Sequence, residues 1–566
     1  MSTALPRPDD FFTPGLDQGL SLLRPEDLTP RVIDRVTITA TVLGSNVAHR
    51  LATRAAFARL DREAIWSQSV VFPDVLALAE NLSFQRKRAK VNDKFLLLGA
   101  AGDRLRFAVH MAARAAGQEH VERDIANHLA AARVKAGPLP VTDATDWRSL
   151  PLVIETRNFF NFYHFTRETL PALTLVARYG LTGPFHIVGP KSEERAFVRE
   201  SVATWFPDLA ARVSLVSGDL RYLRALVVVP VKSLYRQSNH RHIPAITTVA
   251  KDVIPRRPVV ATAAAMSLNA VEDSVMALRD HCLSRITPAG RTRRIYVARR
   301  SGRQRRVVGE ELLLAALAPL GFETVYFEDM SVAAQAQIMQ ECEAVVALHG
   351  AGVTNMLFAA AGCHVTKLSN LQTMRKRFGD FNALALASGA RYHHIFLDHD
   401  FEHPDTVPNI ARDGHRGVRI SSFEAEAIAA GIHAKLAPAT FAAAFATCRA
   451  CNDAGPREAL PALLDRHAGI LAHTADYHVW RANTFSTAGR RGQALPHLRR
   501  AMVIEPVREA LLRRILQLAH ALGAEAVFLE AMRSYHALSS DKAEAFCAAQ
   551  NWPAEPLQAA VLVLPL

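Results

Sequence analysis

Cysteine is scarce in this chain of 566 residues, and its six cysteines are too thinly spread to predict a disulfide framework. We therefore expect a reducing compartment. Cys448 and Cys451 have the C-x-x-C spacing of a metal or redox pair, but no second ligand pair follows them. Since they lie in an alanine-rich helical pattern, we expect both to be structural. The cysteines are Cys282, Cys342, Cys363, Cys448, Cys451 and Cys547.

The chain also lacks an apolar run that is long enough to span a membrane. The longest run, near Val259, is interrupted by Ser267 and Asn269. Asp9 and Asp10 stand where a signal peptide would carry basic residues. These features predict a cytoplasmic protein. The alternative expectation is peripheral association with the inner face of the membrane.

Acidic residues are fewer than basic residues, so the formal net charge is +13. Most of the basic residues are arginines. Such a surface favours anionic partners. The basic stretches are not interleaved with aromatic residues as in nucleic-acid modules. We therefore expect phosphate-bearing ligands or an anionic membrane face, and no nucleic acid.

Residues 295–368 alternate short β-branched runs with helical runs, which predicts a parallel sheet wound with helices. A strand at residues 295–298 ends at Arg299 and Arg300. Open α/β sheets bind ligands at the carboxyl ends of their strands. The two arginines are therefore candidates for ligand binding.

A second strand in this stretch, at residues 344–348, runs into a glycine turn. It ends at His349, and Gly350 and Gly352 then allow a sharp turn into a helix. The amino end of a helix presents unpaired N–H donors and about half a positive charge, so it can hold a diphosphate. The third glycine of the dinucleotide fingerprint is absent because Asn355 stands there. The pattern leaves open that the glycines only let strand and helix pack tightly.

Several motifs follow one another in a fixed order along this stretch. They are Arg299; Arg305, Arg306 and Glu310; Gly321 and Phe322; Gln335; and His349, Gly350, Ala351, Gly352, Val353, Thr354 and Asn355 with Phe358. The series resembles the signature of family 61 glycosyltransferases, also described as capsular polysaccharide biosynthesis proteins. One departure is Gly309, where the family pattern has asparagine.

The resemblance implies a nucleotide-sugar donor whose diphosphate lies over the glycine turn, neutralised by Arg299 and by one of Arg305 or Arg306. Glu310 would orient an arginine or a donor hydroxyl, and His349 would contact phosphate or close the turn. No cofactor and no metal ion are expected. The predicted donor-binding residues are Arg299, Arg305, Arg306, Glu310, His349, Gly350, Ala351, Gly352, Thr354 and Asn355.

Residues 161–171 resemble a second family segment, in its amino-terminal half. His164 and Glu168 are four positions apart, so they share one face of the predicted helix. An inverting transfer needs a base for the acceptor hydroxyl, and these two residues are the catalytic candidates. The alternative is a hydrogen-bonded core histidine beside a glutamate that is paired with Arg157 or Arg167.

Asp398, His399, Asp400, His403 and Asp405 have the residue types of a metal site. They follow a predicted strand, in a loop where such side chains usually cap turns or meet solvent. We therefore expect capping rather than metal binding.

Beyond residue 430 the composition shifts to alanine, leucine and arginine with helical periodicity. Gly455, Gly489 and Gly523 are spaced 34 residues apart, which resembles a degenerate tetratricopeptide array that would bind a protein partner. The predicted fold is α/β, a GT-B-like pair of Rossmann-type domains followed by an all-α helical repeat domain. The predicted boundaries are 1–255 for the acceptor-side domain, 256–425 for the nucleotide-sugar-binding domain and 430–566 for the repeats.

By resemblance, the chain is expected to be an inverting glycosyltransferase. It would move a sugar from a nucleotide-diphosphate donor to a glycan or lipid-linked acceptor in surface polysaccharide biosynthesis. Two alternatives remain: a sugar-nucleotide epimerase using the same cleft, and a non-catalytic scaffold working through the helical repeats.

Overall fold

The structure is a computed structural model that describes residues 5–66, 68–85, 88–190, 192, 194–239, 242, 266, 268–300 and 305–552. Within these residues the chain forms a mixed sheet with its helices, a parallel sheet with its helices, and a carboxyl-terminal helical region.

The mixed sheet combines a parallel half with an antiparallel half. Its order is Val213–Val216, Phe185–Val188, Leu152–Glu155, Leu220–Pro230, Asp74–Gln85, Arg88–Val91 and Lys94–Phe95, with Leu20–Leu22 paired to Asp74–Gln85. The first four strands are parallel and the others are antiparallel. In the two central strands, residues 152–154 and 225–229 are apolar runs, because both faces of the sheet are covered there. This sheet therefore differs from the all-parallel sheet of a simple Rossmann-type domain.

Helices cover this sheet and line its edges. The longer ones are Gly99–Ala115, Glu119–Lys135, Ala196–Trp205 and Val231–Gln237. The helix predicted to begin at residue 161 is irregular: an α-turn at Phe162–His164, a π-turn at Phe165–Thr169, a 3-10 turn at Leu170–Thr174 and an α-turn at Leu175–Tyr179. Pro171 contributes to this irregularity because it has no backbone N–H to donate.

The second sheet is parallel throughout its described strands. Its order is Phe322–Val325, Arg293–Val297, Cys342–Leu348, His364–Ser369, Arg391–Phe396 and Ile38–Val42. The helices around it are Glu310–Leu317, Val332–Glu341, Leu371–Arg377, Asn382–Ser388, Ser422–Leu436 and Val47–Glu63, with a 3-10 helix at Ala351–Phe358. The wound parallel sheet predicted for residues 295–368 is confirmed.

The outermost strand of the parallel sheet, Ile38–Val42, comes from the amino-terminal part of the chain. It pairs with Arg391–Phe396, although residues 1–255 were assigned to the other domain. Both ring nitrogens of His393 lie within hydrogen-bond distance of this strand, at 2.6 Å from Thr39 Oγ1 and 3.1 Å from Thr41 Oγ1. A boundary at residue 255 therefore does not separate the two sheets.

The described residues also form two smaller sheets of three strands each. One consists of Arg31–Asp34, Gln68–Phe72 and Ala270–Glu272, and the other of Val307–Val308, Val418–Arg419 and Asp398–His399. The carboxylate of Asp398 accepts hydrogen bonds from the backbone N–H of Ser45 at 2.8 Å and of Asn46 at 3.0 Å, so it caps the turn as predicted. Cys448 and Cys451 are buried free thiols on one helix. In the described part of the chain, no three metal-ligating side chains form a cluster.

The carboxyl-terminal region is entirely helical within the described residues. Its helices are Pro438–Ala454, Leu460–Leu471, Ala475–Thr487, Arg491–Ile504, Glu509–Ala521, Glu525–Leu538 and Ser540–Ala549. Two successive helix pairs begin at Ala475 and Glu509, 34 positions apart, and Gly489 and Gly523 follow their first helices with φ of 73° and 63°. The left-handed conformation explains glycine at both positions. The predicted helical region is confirmed.

No single helix among the described residues has the length and apolar character needed to cross a membrane. Ser422–Leu436 and Pro438–Ala454 pass that test only when taken together, and they are bent by 114°.

A buried ion pair joins the helical region to the parallel sheet. Arg50, whose side chain is 1% exposed, donates to Glu530 Oε1 at 3.0 Å and to the Gly44 carbonyl at 3.0 Å. Arg499 donates to the other oxygen of Glu530 at 2.6 Å. Because a buried charge is costly without its partner, the position of the helices depends on this contact.

We expect Glu530→Ala to lower the free energy of unfolding by about 3–5 kcal/mol, because it leaves Arg50 buried without its carboxylate. Urea denaturation followed by circular dichroism measures this change. The control is Asp465→Ala, which removes the exposed partner of Arg481 and is expected to cost about 1 kcal/mol or less. Equal effects of the two substitutions would contradict this role of Glu530.

Candidate active site

Two segments that were singled out in the sequence meet between the two sheets. The turn Phe162–His164 packs against the 3-10 helix Ala351–Phe358. The ring of Phe381 lies between them, with its centroid 5.1 Å from that of Tyr163 and 5.4 Å from that of His349. Both candidate motifs therefore belong to one region of the molecule.

The glycine turn lies at the carboxyl end of the central parallel strand. His349 continues the strand pairing by donating its N–H to the Leu368 carbonyl at 2.9 Å. The 3-10 helix begins at Ala351, so Gly352 lies within its first turn. The N–H of Val353 donates to the Gly350 carbonyl at 3.0 Å, which tightens this first turn.

Two arginines converge on the turn. Arg299 Nη2 and Arg305 Nη1 donate to the same carbonyl oxygen, that of His349, at 3.2 and 3.1 Å. A Cβ at Gly350 would lie 1.5 Å from Arg299 Nη2, so glycine is needed there for close approach of the guanidinium. Guanidinium groups and the start of a helix are both groups that bind anions in proteins.

Arg306 and Glu310, the other charged residues assigned to donor binding, have protein partners. Arg306 donates through Nε to Asp400 Oδ2 at 2.6 Å, and Arg419 donates to the other oxygen of that carboxylate at 3.3 Å. Glu310 accepts from the buried hydroxyl of Tyr296 at 2.6 Å. Of the two arginines considered at this position, the structure brings Arg305 to the turn.

Gly309, which departs from the family pattern, has a local explanation. Its φ is 83°, and a Cβ would lie 2.1 Å from the carbonyl oxygen of Ile420. The backbone approach therefore excludes a side chain, including the asparagine of the family pattern.

Thr354 and Asn355 are buried, with 0% and 1% of their surface exposed. Asn355 donates to Gln335 Oε1 at 2.7 Å, and Gln335 donates to the Phe327 carbonyl at 2.9 Å. Asn355 thus ties the loop to Gln335, and neither side chain is exposed on the surface of the turn. Ala351 and Gly352 keep partial exposure on the turn.

His164 and Glu168 form a hydrogen-bonded pair. Glu168 Oε2 accepts from Arg157 Nε at 3.0 Å and lies 3.0 Å from His164 Nδ1. Burial alone would raise the pKa of Glu168, but the hydrogen bond to His164 and the charge of Arg157 more than offset it, so the pKa is lowered. The alternative of an ion-paired glutamate is thus confirmed for Glu168. An ionised Glu168 assigns the proton to Nδ1 of His164, which leaves Nε2 as the acceptor.

A cavity of about 880 Å³ opens between the mixed sheet and the helices Val47–Glu63 and Leu371–Arg377. Glu168 lines it, beside several charged residues that sequence reasoning missed. Lys232 lies two positions after the strand Leu220–Pro230, and Glu272 ends the strand Ala270–Glu272. Position at the carboxyl end of a strand is the signal that would have found both.

The carboxyl groups of the cavity wall differ in protonation. Burial raises the pKa of Glu155 to about 8. Burial, assisted by the charge of Glu272, raises the pKa of Asp74 to about 7. Burial opposes ionisation of Glu272 as well, but Arg167 and Lys232 outweigh it and lower its pKa. Near neutral pH Glu155 is therefore mostly protonated, and a protonated carboxyl group can donate a hydrogen bond to a hydroxyl group.

A comparison with known families agrees with this geometry. Residues 162–366 match the family model described as Glycosyltransferase 61. The matched segment contains His164, Glu168, Arg299, Arg305 and the glycine turn. It is thus similar to family 61 glycosyltransferases, as the motifs predicted. No curated protein matches the chain.

Lys367, the residue directly after the matched segment, was not anticipated. Its side chain is 0% exposed and its Nζ, which has no hydrogen-bond partner among the described residues, lies 5.5 Å from the ring centroid of Phe381. Burial lowers the pKa of Lys367 to about 7. Burial, assisted by the charges of Lys367 and Arg305, holds the pKa of His349 well below its usual value. The ring of His349 is therefore neutral, and it carries no charge toward an anion at the turn.

We expect Gly350→Ala to displace the Arg299 guanidinium from the glycine turn. The fold should be retained, because the new Cβ meets the end of a flexible side chain. Binding of inorganic pyrophosphate, measured by calorimetry, should weaken at least about tenfold for the loss of one charge-assisted hydrogen bond.

Gly352→Ala is the matched control for Gly350→Ala. Its Cβ would meet Val297 Cγ1 at 3.4 Å, an ordinary contact. This Cβ would face the side chains of Val297 and Phe327, so it neither displaces Arg299 nor covers the backbone that would meet the diphosphate, and pyrophosphate binding should stay within about twofold of wild type. A larger effect at Gly352 than at Gly350 would argue against the guanidinium as the anion's partner.

Lys367→Met should stabilise the protein at low pH. Between the folded pKa of about 7 and the ordinary value of 10.5, the unfolded chain binds a proton that the folded chain lacks, so wild-type stability rises with pH. Below pH 7 the folded state carries the full cost of the buried charge. We expect a gain of up to about 5 kcal/mol near pH 6 that shrinks toward pH 10.

Urea denaturation across this pH range tests Lys367→Met. Lys376→Met, at an exposed position, is the control and should give no pH-dependent gain. A gain for Lys367→Met that is the same at every pH would contradict the titration of Lys367.

Proposed function

We propose that this protein is an inverting glycosyltransferase that uses a nucleotide-diphosphate sugar. The observation that carries the proposal is the convergence of Arg299 and Arg305 on the His349 carbonyl, one aromatic ring away from the segment of His164. The family match over residues 162–366 supports it.

In the proposed mechanism the donor diphosphate lies against Ala351 and Gly352. Arg299 and Arg305 neutralise the charge that develops as the nucleoside diphosphate departs. Since guanidinium groups can supply this charge, we propose a reaction independent of metal ions. The close packing of Arg299 on Gly350 holds one donor group in place before the substrate binds.

His164 is the proposed base. Its Nδ1 is held by the ionised Glu168, so Nε2 carries the lone pair that removes the proton of the acceptor hydroxyl. Glu168 is then a positioning residue, which fixes the ring and stabilises the imidazolium that forms. Arg157, which shares the Glu168 carboxylate, keeps it ionised.

The cavity between the sheets is the proposed acceptor site, in a GT-B-like arrangement of the two bodies. We propose a glycan or lipid-linked acceptor of surface polysaccharide, used in the cytoplasm or at the inner membrane face. The 34-residue recurrence of helix pairs supports a tetratricopeptide-like region that binds a protein partner.

The two alternatives predict different products. A sugar-nucleotide epimerase would convert the free nucleotide sugar without an acceptor. A non-catalytic scaffold would show no turnover and would keep its partner binding when Arg299 is replaced. The orientation of His164 by Glu168 fits a general base, which the scaffold alternative does not need; the acceptor dependence of turnover separates the transferase from the epimerase.

A panel of nucleotide sugars, assayed for thermal stabilisation and for hydrolysis, tests the proposed function. We expect one donor class to stabilise the wild type and Arg299→Ala to abolish the effect. Arg300→Ala is the control, because Arg300 pairs with Asp329 and stacks on Tyr326. The proposal is contradicted if no nucleotide sugar stabilises the wild type at millimolar concentration.

His164→Ala should reduce the rate of transfer by about 10²–10⁴-fold while donor binding is retained, because only the proton acceptor is lost. Glu168→Gln should cost less and should shift the pH profile of kcat. Measurement of kcat and of donor affinity across pH separates the two roles. Unchanged kcat in His164→Ala would exclude this histidine as the base.

A further inference from the structure

The deep part of the cavity is balanced in charge. Glu272 lies 2.5 Å from both Arg167 Nη2 and Lys232 Nζ. Glu168 is matched by Arg157 at 3.0 Å. Arg157, Arg167 and Lys232 are therefore paired with carboxylates of the cavity wall. The interior can bind a ligand mainly through hydrogen bonds.

The mouth of the cavity carries an excess of positive charge. Arg59 on the helix Val47–Glu63, and Arg375 and Lys376 on the helix Leu371–Arg377, line the cavity and are exposed. The two helices pack against each other, which brings these mouth cations to one rim. Within the described ranges, no carboxylate forms an ion pair with any of the three.

We propose that the mouth cations Arg59, Arg375 and Lys376 bind a phosphate or diphosphate group on the acceptor, while the acceptor's sugar enters the cavity. Assignment of this ligand to the acceptor rests on the function proposed above; the anion site itself does not.

The chemistry of the mouth fits a phosphoryl group better than a single carboxylate. Two guanidinium groups can each donate two hydrogen bonds to phosphoryl oxygens, and the ammonium group adds a third positive charge. The donor diphosphate has its own arginines, Arg299 and Arg305, at a turn that does not line the cavity. The molecule therefore carries two separate anion sites.

Calorimetric titration of the full chain with inorganic pyrophosphate tests the proposal. The wild type should bind pyrophosphate at both sites. The mouth variant Arg59→Gln/Arg375→Gln/Lys376→Gln should lose the mouth site, with affinity at least tenfold weaker, and should keep the turn site. Arg299→Gln/Arg305→Gln should do the reverse.

The matched control removes three exposed cations elsewhere, in Arg123→Gln/Lys135→Gln/Arg466→Gln. It should bind pyrophosphate as the wild type does at equal ionic strength. If the control weakens binding as much as the mouth variant, the effect is general charge screening and the proposal is overturned. It is likewise overturned if the mouth variant keeps both sites.

Vesicles of phosphatidylcholine with phosphatidylglycerol distinguish the source of the phosphate. Vesicle binding that pyrophosphate displaces, and that the mouth variant loses, supports a lipid-borne phosphate. Loss of pyrophosphate binding without any vesicle binding supports a soluble acceptor. If the mouth variant loses vesicle binding alone, a membrane surface and not a ligand group is bound, and the proposal fails.

The transfer assay separates this proposal from the proposed function. With a phosphate-bearing acceptor, the mouth variant should raise the acceptor KM at least tenfold and leave the donor KM unchanged. A raised donor KM would overturn the assignment to the acceptor. Two pyrophosphate sites in a protein that transfers no sugar would retain the mouth site and reject glycosyl transfer.

Discussion

The close approach of Arg299 to the backbone at Gly350 is the contact on which the proposed chemistry depends. It places a guanidinium where any side chain at position 350 would stand. Arg305 reaches the same carbonyl from a different segment, so the turn gathers positive charge from two directions. The parallel sheet makes this possible because its carboxyl edge collects the ends of neighbouring strands.

Much of this region was predictable from the sequence. Short β-branched runs ending in Arg299 and His349 located two strand ends, and ordered strands with glycine turns can be recognised from local pattern alone. The side chains of Thr354 and Asn355 point inward, which the motif does not encode. Arg306 could not be distinguished from Arg305 either, because its partner Asp400 lies 94 positions away.

The cavity was harder to foresee because it is built from pieces that are far apart in the chain. Its charged residues come from strand ends and helices that carry no shared motif, such as Arg59, Lys232 and Glu272. Each one in isolation is an ordinary polar residue near the end of an element. These residues line one cavity only because the two sheets and their helices pack together, and local sequence periodicity does not predict that packing. The mixed character of the first sheet was missed for the same reason.

The strand Ile38–Val42 has a consequence for how the molecule is made. Thr39 and its partner His393 are separated by 354 positions. During synthesis this strand therefore has no strand to pair with until most of the chain has left the ribosome. Such a long-range closure is slow, because a large loop of chain must be ordered before the contact forms. The outer edge of the parallel sheet can therefore be completed only after the strand Arg391–Phe396 has been made.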